Sequence, residues 1–118
     1  MSKPEQKLQI QVANYCKLRY PHLLWTISPA GLIINRNLGM LSVRLGYRKG
    51  TPDLLFFEPR GIFHGLVIEL KDINGSVSDD QREFIEEASK RRYATAVCWT
   101  YEETIETIDK YLAIENPF

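Results

Sequence analysis

The sequence has few of the residues and segments that mark several common protein classes. Its two cysteines, Cys16 and Cys98, lie far apart in apolar contexts without metal-ligand spacing, so both are interpreted as buried free thiols. The longest uncharged apolar runs are four or five residues, which is too short to span a bilayer. The N-terminal segment MSKPEQK lacks the apolar stretch of a signal peptide, which predicts a cytoplasmic protein.

What the chain does contain is typical of a soluble globular protein. Its 118 residues are 44% hydrophobic and 25% charged, which is sufficient for one compact domain with a buried core. No internal repeat, low-complexity tract or linker divides the sequence. We therefore expect residues 1–118 to form a single domain.

Charge is distributed unevenly although the net charge is zero. Residues 1–50 contain eight Lys or Arg and one Glu, a balance of +7, whereas residues 51–118 contain seven Lys or Arg and fourteen Asp or Glu, a balance of −7. This asymmetry indicates a polyanionic partner for the basic half. The candidate contacts to nucleic-acid phosphates are Arg36, Arg44, Arg48 and Lys49. The alternative is a solvated helix face whose charges mix with the acidic half after folding.

Hydrophobic periodicity and capping signals predict the first half of the fold. A helix begins in SKPEQ, where Ser2 and Glu5 form a predicted capping box, and is followed by the short strand HLLWTI. The loop SPAG and a second helix in NRNLGMLSVRLGY come next. Two apolar strands, LLFF and LVIELK, are separated by the turn residues EPRG, which predicts an antiparallel hairpin.

The second half adds a helix, a strand and a final helix. Predicted capping boxes pair Ser78 with Gln81 and Thr100 with Glu103. The strand YATAVCW reaches the sheet through a helix, so it should run parallel to LVIELK. The complete order predicts an α/β fold in which helices flank one mixed sheet. Both tryptophans of the chain, Trp25 and Trp99, fall on predicted strands. We interpret them as core residues rather than base-stacking platforms.

Three charged residues lie at the ends of the two hairpin strands. Asp53 precedes LLFF, and the alternation of side chains places Glu69 and Lys71 on one face of LVIELK. Charges beside buried strands cost free energy unless they are paired or bind an ion. Two converging carboxylates suit Mg²⁺ or Mn²⁺. The alternative is that Asp53 caps a turn after Pro52, while Glu69 and Lys71 lie on a solvated edge.

The spacing of these residues resembles that of the PD-(D/E)xK nuclease superfamily. Pro52-Asp53, fifteen intervening residues and then Glu69-x-Lys71 occur within a matching order of elements. More specifically, GYRKGTPDLLFF, GLVIELKDINGSVSDDQREFIEEASKRRYATAV and YEETIETIDKYL resemble the VRR-NUC domain, a nuclease module also found at the end of Fanconi-associated nucleases and in phage proteins. This resemblance implies a restriction-endonuclease-like αβββαβ core and metal-dependent cleavage of DNA. For small stand-alone members it also implies homodimers that act on branched DNA such as four-way (Holliday) junctions.

The resemblance also implies roles for individual residues. Asp53, Glu69 and the backbone carbonyl of Leu70 would be metal ligands, and Lys71 would be the catalytic lysine. No other cofactor is expected.

Two further residues match positions near the active site of the family. Gln81 matches a glutamine at the start of a helix, and Glu5 matches an acidic residue of the first helix. Each is also the third residue of a predicted capping box, so a purely structural role is the alternative. The chain departs from the family where Val43-Arg44 lacks the second arginine of the Val-Arg-Arg tripeptide.

The sequence thus predicts a Mg²⁺- or Mn²⁺-dependent DNA endonuclease, structure-selective and dimeric. Two other hypotheses remain open at this point. One is a flap, nicking or restriction-like nuclease, and the other is a non-catalytic DNA-binding protein on a nuclease fold.

Overall fold

The computed structural model describes residues 1–32 and 35–118. Side chains that favour the helix N-cap position, Ser2, Asn35, Ser78 and Thr100, each accept a backbone N–H of the first turn of an α-helix. The elements are α1 (Lys3–Arg19), β1 (Trp25–Ile27), the 3₁₀ helix η1 (Pro29–Leu32), α2 (Arg36–Arg44), β2 (Leu54–Phe56), β3 (Gly65–Leu70), α3 (Asp79–Lys90), β4 (Tyr93–Cys98) and α4 (Tyr101–Leu112).

The described strands form one mixed sheet in the order β1-β2-β3-β4. Strands β1 and β2 pair antiparallel, as do β2 and β3, whereas β3 and β4 pair in parallel. The predicted hairpin, the parallel pair and the αβββαβ order are therefore confirmed.

The hydrophobic core lies between one face of the sheet and the helices α1 and α4. Every second residue of β3 faces this core, as the strand alternation predicts, and α1 contributes Leu8 and Val12. The hydroxyls of Tyr15 and Tyr20 both donate to the carboxylate of Asp109, which links α1 to α4. Cys16 and Cys98 are buried free thiols, as predicted.

Two predicted capping boxes form only in part. Ser2 accepts the Glu5 N–H, but the Glu5 carboxylate accepts the backbone N–H of Asp72, at 3.5 Å. The Glu103 carboxylate similarly accepts from Trp99, at 3.1 Å. Both carboxylates therefore bind parts of the chain outside their own helices.

Two local predictions are wrong. The SPAG segment, expected to be a loop, begins η1 (Pro29–Leu32). Trp99 follows β4 and is 40% exposed, so its interpretation as a core residue fails. Trp25 is half-buried and stacks on Phe56 with ring centroids 5.8 Å apart.

Helix α2 forms as predicted, but its apolar residues are not covered. Leu38, Leu41 and Leu45 recur at helical spacing and are all exposed. Within the part of the chain that the structure describes, no residue of α2 is buried. None of the described helices is both long and apolar enough to cross a bilayer.

Candidate active site

The predicted acids and the predicted lysine come together on the face of the sheet opposite the core. Residues 54 and 68 are partners in the β2–β3 pair, and the same antiparallel register places Asp53 opposite Glu69. Asp53, Glu69 and Lys71 are only 6%, 3% and 8% exposed. The alternative that Glu69 and Lys71 lie on a solvated edge is therefore wrong.

Backbone and side-chain contacts fix the three groups relative to one another. The Asp53 Oδ2 accepts the backbone N–H of Leu70 at 2.7 Å. The Lys71 Nζ lies 3.5 Å from Oε1 of Glu69. The structure thus shows that the N–H of residue 70 positions Asp53, while a metal-binding role for the Leu70 carbonyl stays a prediction.

A cavity of about 350 Å³ opens beside these groups. All five side chains predicted to be catalytic line it: Glu5, Asp53, Glu69, Lys71 and Gln81. Glu5 lies on α1, Asp53 directly before β2, Glu69 on β3, Lys71 directly after β3, and Gln81 on α3. The fold therefore gathers residues that are up to 76 positions apart in the sequence, since Glu5 and Gln81 line the same cavity.

Gln81 reaches this cavity from the first turn of α3. Its Oε1 accepts the backbone N–H of Ser78 at 2.9 Å, and Ser78 Oγ accepts the Gln81 N–H, which completes the predicted capping box. Its Nε2 donates to Oε1 of Glu69 at 2.8 Å. Gln81 therefore has the predicted cap role and a direct contact with a candidate metal ligand.

Glu5 reaches the cavity from α1. Its carboxylate accepts the N–H of Asp72, the residue after Lys71, and its charge contributes to raising the pKa of Asp53. Ser2, one turn earlier, donates from Oγ to the Asp72 carboxylate at 2.9 Å. The start of α1 is therefore attached to the backbone that carries the lysine.

Burial and mutual repulsion strongly perturb the two central carboxyl groups. Burial, followed by the charge of Asp53, raises the pKa of Glu69 from 4.5 to about 8, against the opposing effect of Lys71. Burial also raises the pKa of Asp53, although the bond from Leu70 opposes the shift. Two carboxylates this close retain a proton between them unless another positive charge is present.

When both carboxyl groups are ionised, one oxygen of the pair has no compensating contact. Oε1 of Glu69 is bound by Gln81 and Lys71, whereas Oε2 is buried without a hydrogen-bond partner among the described residues. A buried carboxylate oxygen without a partner costs free energy. A hard cation held by Glu69 and Asp53 would remove that cost, so the residues present fit Mg²⁺ or Mn²⁺.

The donor set is small. Across residues 1–32 and 35–118, no group of three or more His, Cys, Asp or Glu side chains is arranged to hold a metal ion. Mg²⁺ sites that process phosphates commonly use one or two carboxylates and complete the shell with water and substrate oxygens. The pair of Asp53 and Glu69 is sufficient for that kind of site.

The predicted DNA-contacting cations lie outside the cavity. Arg36 and Arg44 are on α2, and Arg48 and Lys49 are exposed in the turn that follows it. Within the described ranges, none of the four lines the cavity of the carboxylates. Arg48 pairs with Glu83 at 3.6 Å and lies over the Phe84 ring, so it belongs to the surface beside α3.

Sequence reasoning missed two residues of the segment that leads into Asp53. Tyr47 is half-buried, and its pKa is raised by burial and then by the charges of Glu69 and Asp53. Gly50 has a φ of +88°, and a Cβ there would collide with the backbone of Asp80 and Gln81. Both belong to GYRKGTPD, where the glycine two residues before Pro52 was the available signal.

Comparisons with known proteins agree with this geometry. A family model described as "VRR-NUC domain" matches residues 33–100, more than half of the chain. No curated protein matches the chain significantly.

Two solved structures are similar over nearly the whole chain. One, named "VRR_NUC domain protein", has a TM-score of 0.79 and 27% sequence identity, covering 98% of this chain and 93% of its own. Another, named "VRR_NUC domain", has a TM-score of 0.56 and 24% identity, covering 93% of this chain and 99% of its own. At the lower identity the likeness concerns the fold alone.

Proposed function

Because the chain belongs to the VRR-NUC domain family, we propose that it is a DNA endonuclease that requires Mg²⁺ or Mn²⁺. The observation that carries this proposal is the buried Oε2 of Glu69, which has no hydrogen-bond partner among the described residues and belongs to a cavity that Asp53 and Lys71 also line. A protein that only binds DNA on a nuclease fold gains nothing from such an oxygen, which destabilises the folded chain.

Asp53 and Glu69 would hold the ion, together with the expected carbonyl of Leu70. A divalent ion bound there would lower the pKa of a water molecule and polarise a phosphoryl oxygen. Leu70 keeps Asp53 in place through its N–H, and Gln81 engages one oxygen of Glu69, so that the other oxygen is free to bind.

Lys71 supplies positive charge at the same place. Its ammonium group lies 3.5 Å from Glu69 Oε1 and is almost fully buried. A positioned cation in a water-poor site stabilises the negative charge that builds up on the phosphate during displacement. Glu5 assists indirectly, because it holds the N–H of the residue that follows Lys71.

The partner that we propose is DNA. Arg36, Arg44, Arg48 and Lys49 form the basic segment between η1 and Asp53, and contacts of Lys and Arg with phosphates supply most sequence-independent affinity for DNA. These cations would hold the sugar–phosphate backbone outside the cavity.

We also propose that the enzyme is a homodimer selective for branched DNA. The exposed leucines of α2 support this, because a nine-residue helix is marginal in water without packing. A second copy that covers them would stabilise the helix. A two-fold dimer also presents two active sites, which suits the two strands that must be cut in a four-way junction.

The test is a cleavage assay on a four-way junction, a flap and a linear duplex of matched sequence, each with Mg²⁺, Mn²⁺ or EDTA. We expect the junction to be cut with either ion and not in EDTA, and Asp53→Asn and Glu69→Gln to be inactive. Preferential cutting of the flap or the duplex would instead favour the other nuclease hypotheses. DNA binding without cleavage in any ion would contradict the enzyme proposal.

A further inference from the structure

A second cavity, of about 260 Å³, adjoins the active-site cavity at Lys71. Lys71 lines both cavities. Helix α1 borders both cavities, because Glu5 lines the first and Leu8 and Gln11 line the second. Because the two cavities share Lys71, a phosphate held there in the first would lie beside the wall of the second.

The exposed residue Trp99 forms part of this second cavity. Its indole N–H donates to the carbonyl of Gly75 at 3.3 Å, which fixes the ring against the loop that follows Lys71. The loop itself is held at Asp72, whose carboxylate accepts the N–H of Asn74 and whose carbonyl accepts that of Gly75, both at 2.9 Å. An aromatic ring that is already fixed and still exposed loses little entropy when a planar group stacks on it.

The other groups around this cavity fit a base better than a phosphate. Gln11 and Asn74 carry amides with both donors and acceptors, which can bond to the edge of any base. Tyr101 adds a second aromatic ring. The carboxylate of Asp72 also lines the cavity and would repel a phosphate, but it is already satisfied by Ser2 and Asn74.

We propose that this cavity is a nucleobase subsite, which receives an unstacked base of the DNA strand whose phosphate lies at Lys71. This inference rests on the proposed function. A base inside a perfect duplex must be unstacked at a cost of a few kcal/mol before it can enter such a site. For an unpaired base at a branch point this free-energy cost is smaller. The subsite thereby gives a domain of this size a physical means of preferring branched DNA.

Trp99 can report on the subsite directly, because the chain has only two tryptophans. In a Trp25→Phe variant Trp99 is the sole indole, and Asp53→Asn in the same chain keeps the DNA uncut. We expect a four-way junction to quench the Trp99 emission at saturation and a linear duplex to leave it unchanged. Binding of both DNAs is followed independently by the anisotropy of a fluorescent label.

Cleavage by single variants supplies the second measurement. Loss of one base–aromatic stack should make Trp99→Ala cut the junction roughly tenfold more slowly or worse, whereas Trp99→Phe, which retains a ring, should keep most of the activity. Trp25→Phe, which preserves the ring stacked on Phe56, is the matched control and should cut at the parental rate.

The outcomes separate this inference from the proposed function. If the labelled junction binds while the Trp99 emission is unchanged, the subsite is wrong and the nuclease proposal stands. If Trp99→Phe is as slow as Trp99→Ala, the bond to Gly75 is what matters, and the subsite is again wrong. If the parent protein neither binds nor cuts any of the DNAs, both proposals fall together.

Discussion

The side-chain amide of Gln81 donates from Nε2 to Oε1 of Glu69 at 2.8 Å. Its own Oε1 accepts the backbone N–H of Ser78. Gln81 therefore caps the N-terminus of α3 and also orients Glu69, a candidate metal ligand. The start of α3 and the end of β3 are in this way joined by one planar group. Loss of the Ser78 hydroxyl should therefore affect helix stability alone, whereas loss of the Gln81 amide should affect both stability and activity.

Replacing Gln81 and Ser78 in turn tests that double role. Ser78→Ala removes the cap and should destabilise the protein by about 1 kcal/mol, with little effect on cleavage. Gln81→Ala should lose a similar amount of stability and also cut DNA at least tenfold more slowly, because a residue that orients a candidate metal ligand is removed. Thermal melts and initial cleavage rates measure the two effects. Equal cleavage rates for the two variants would show that Gln81 is only a cap.

Lys71 should be essential for cleavage but not for binding. Lys71→Ala removes the cation that would stabilise charge on the phosphate, so cleavage should fall by a factor of roughly a hundred or more. Binding should change little, because most of the proposed phosphate contacts lie on the basic segment and not at Lys71. Rates on a junction and anisotropy of the same labelled junction give the comparison.

Lys90→Ala is the matched control for Lys71→Ala. Lys90 is exposed at the end of α3 and pairs with Glu87, so its loss removes one positive charge away from the cavity. It should cut at the parental rate. Parental cleavage by Lys71→Ala would refute the proposed role of the lysine.

The relative positions of the central site residues could be predicted where the residues are close in sequence or are brought together by a hairpin. Strand alternation alone places Glu69 and Lys71 on one face, and the short connection between two antiparallel strands brings Asp53 opposite Glu69. Glu5 could be placed only through the family resemblance. Its contact with Asp72 joins segments 67 residues apart, and no local pattern encodes such a distance.

Other features could not be predicted because helical and strand patterns do not specify what covers a residue. The leucines of α2 have the spacing of a buried stripe, yet they are exposed. Trp99 follows a strand that is rich in β-preferring residues, but it lies one residue beyond the end of β4. In both places an apolar sequence signal is present, and the surface that would bury it is absent from the described part of the chain.

Stability without metal should fall as pH rises. The folded chain raises the pKa of Glu69 to about 8 and also raises that of Asp53, whereas the unfolded chain has ordinary values. The folded protein therefore binds a proton that the unfolded chain has already released, and the resulting stability is complete below the unfolded pKa of 4.5 and lost as pH rises through about 8. In EDTA, the melting temperature should decline across that interval.

Glu69→Gln is the control for this pH dependence. The amide cannot ionise, so the melting temperature of the variant should depend much less on pH than that of the parent protein. Excess Mg²⁺ should protect the parent mainly at high pH, where the carboxylates are charged and able to bind the ion. A variant that melts with the same pH dependence as the parent would show that Glu69 does not titrate in this range.

The exposed face of α2 should decide the oligomeric state. Leu38→Ser with Leu41→Ser removes apolar surface that is already in contact with water, so the fold of a monomer should tolerate the change. If a second copy covers this face, sedimentation velocity should show a dimer for the parent protein and a monomer for the variant. In the variant, cleavage of a four-way junction should also fall more than cleavage of a linear duplex.

Leu18→Ser is the matched control for this face. Leu18 is an exposed leucine on α1, so the substitution should leave the dimer intact. A parent protein that sediments only as a monomer with DNA bound would refute the dimer, and the selectivity for branches would then have to arise within one chain.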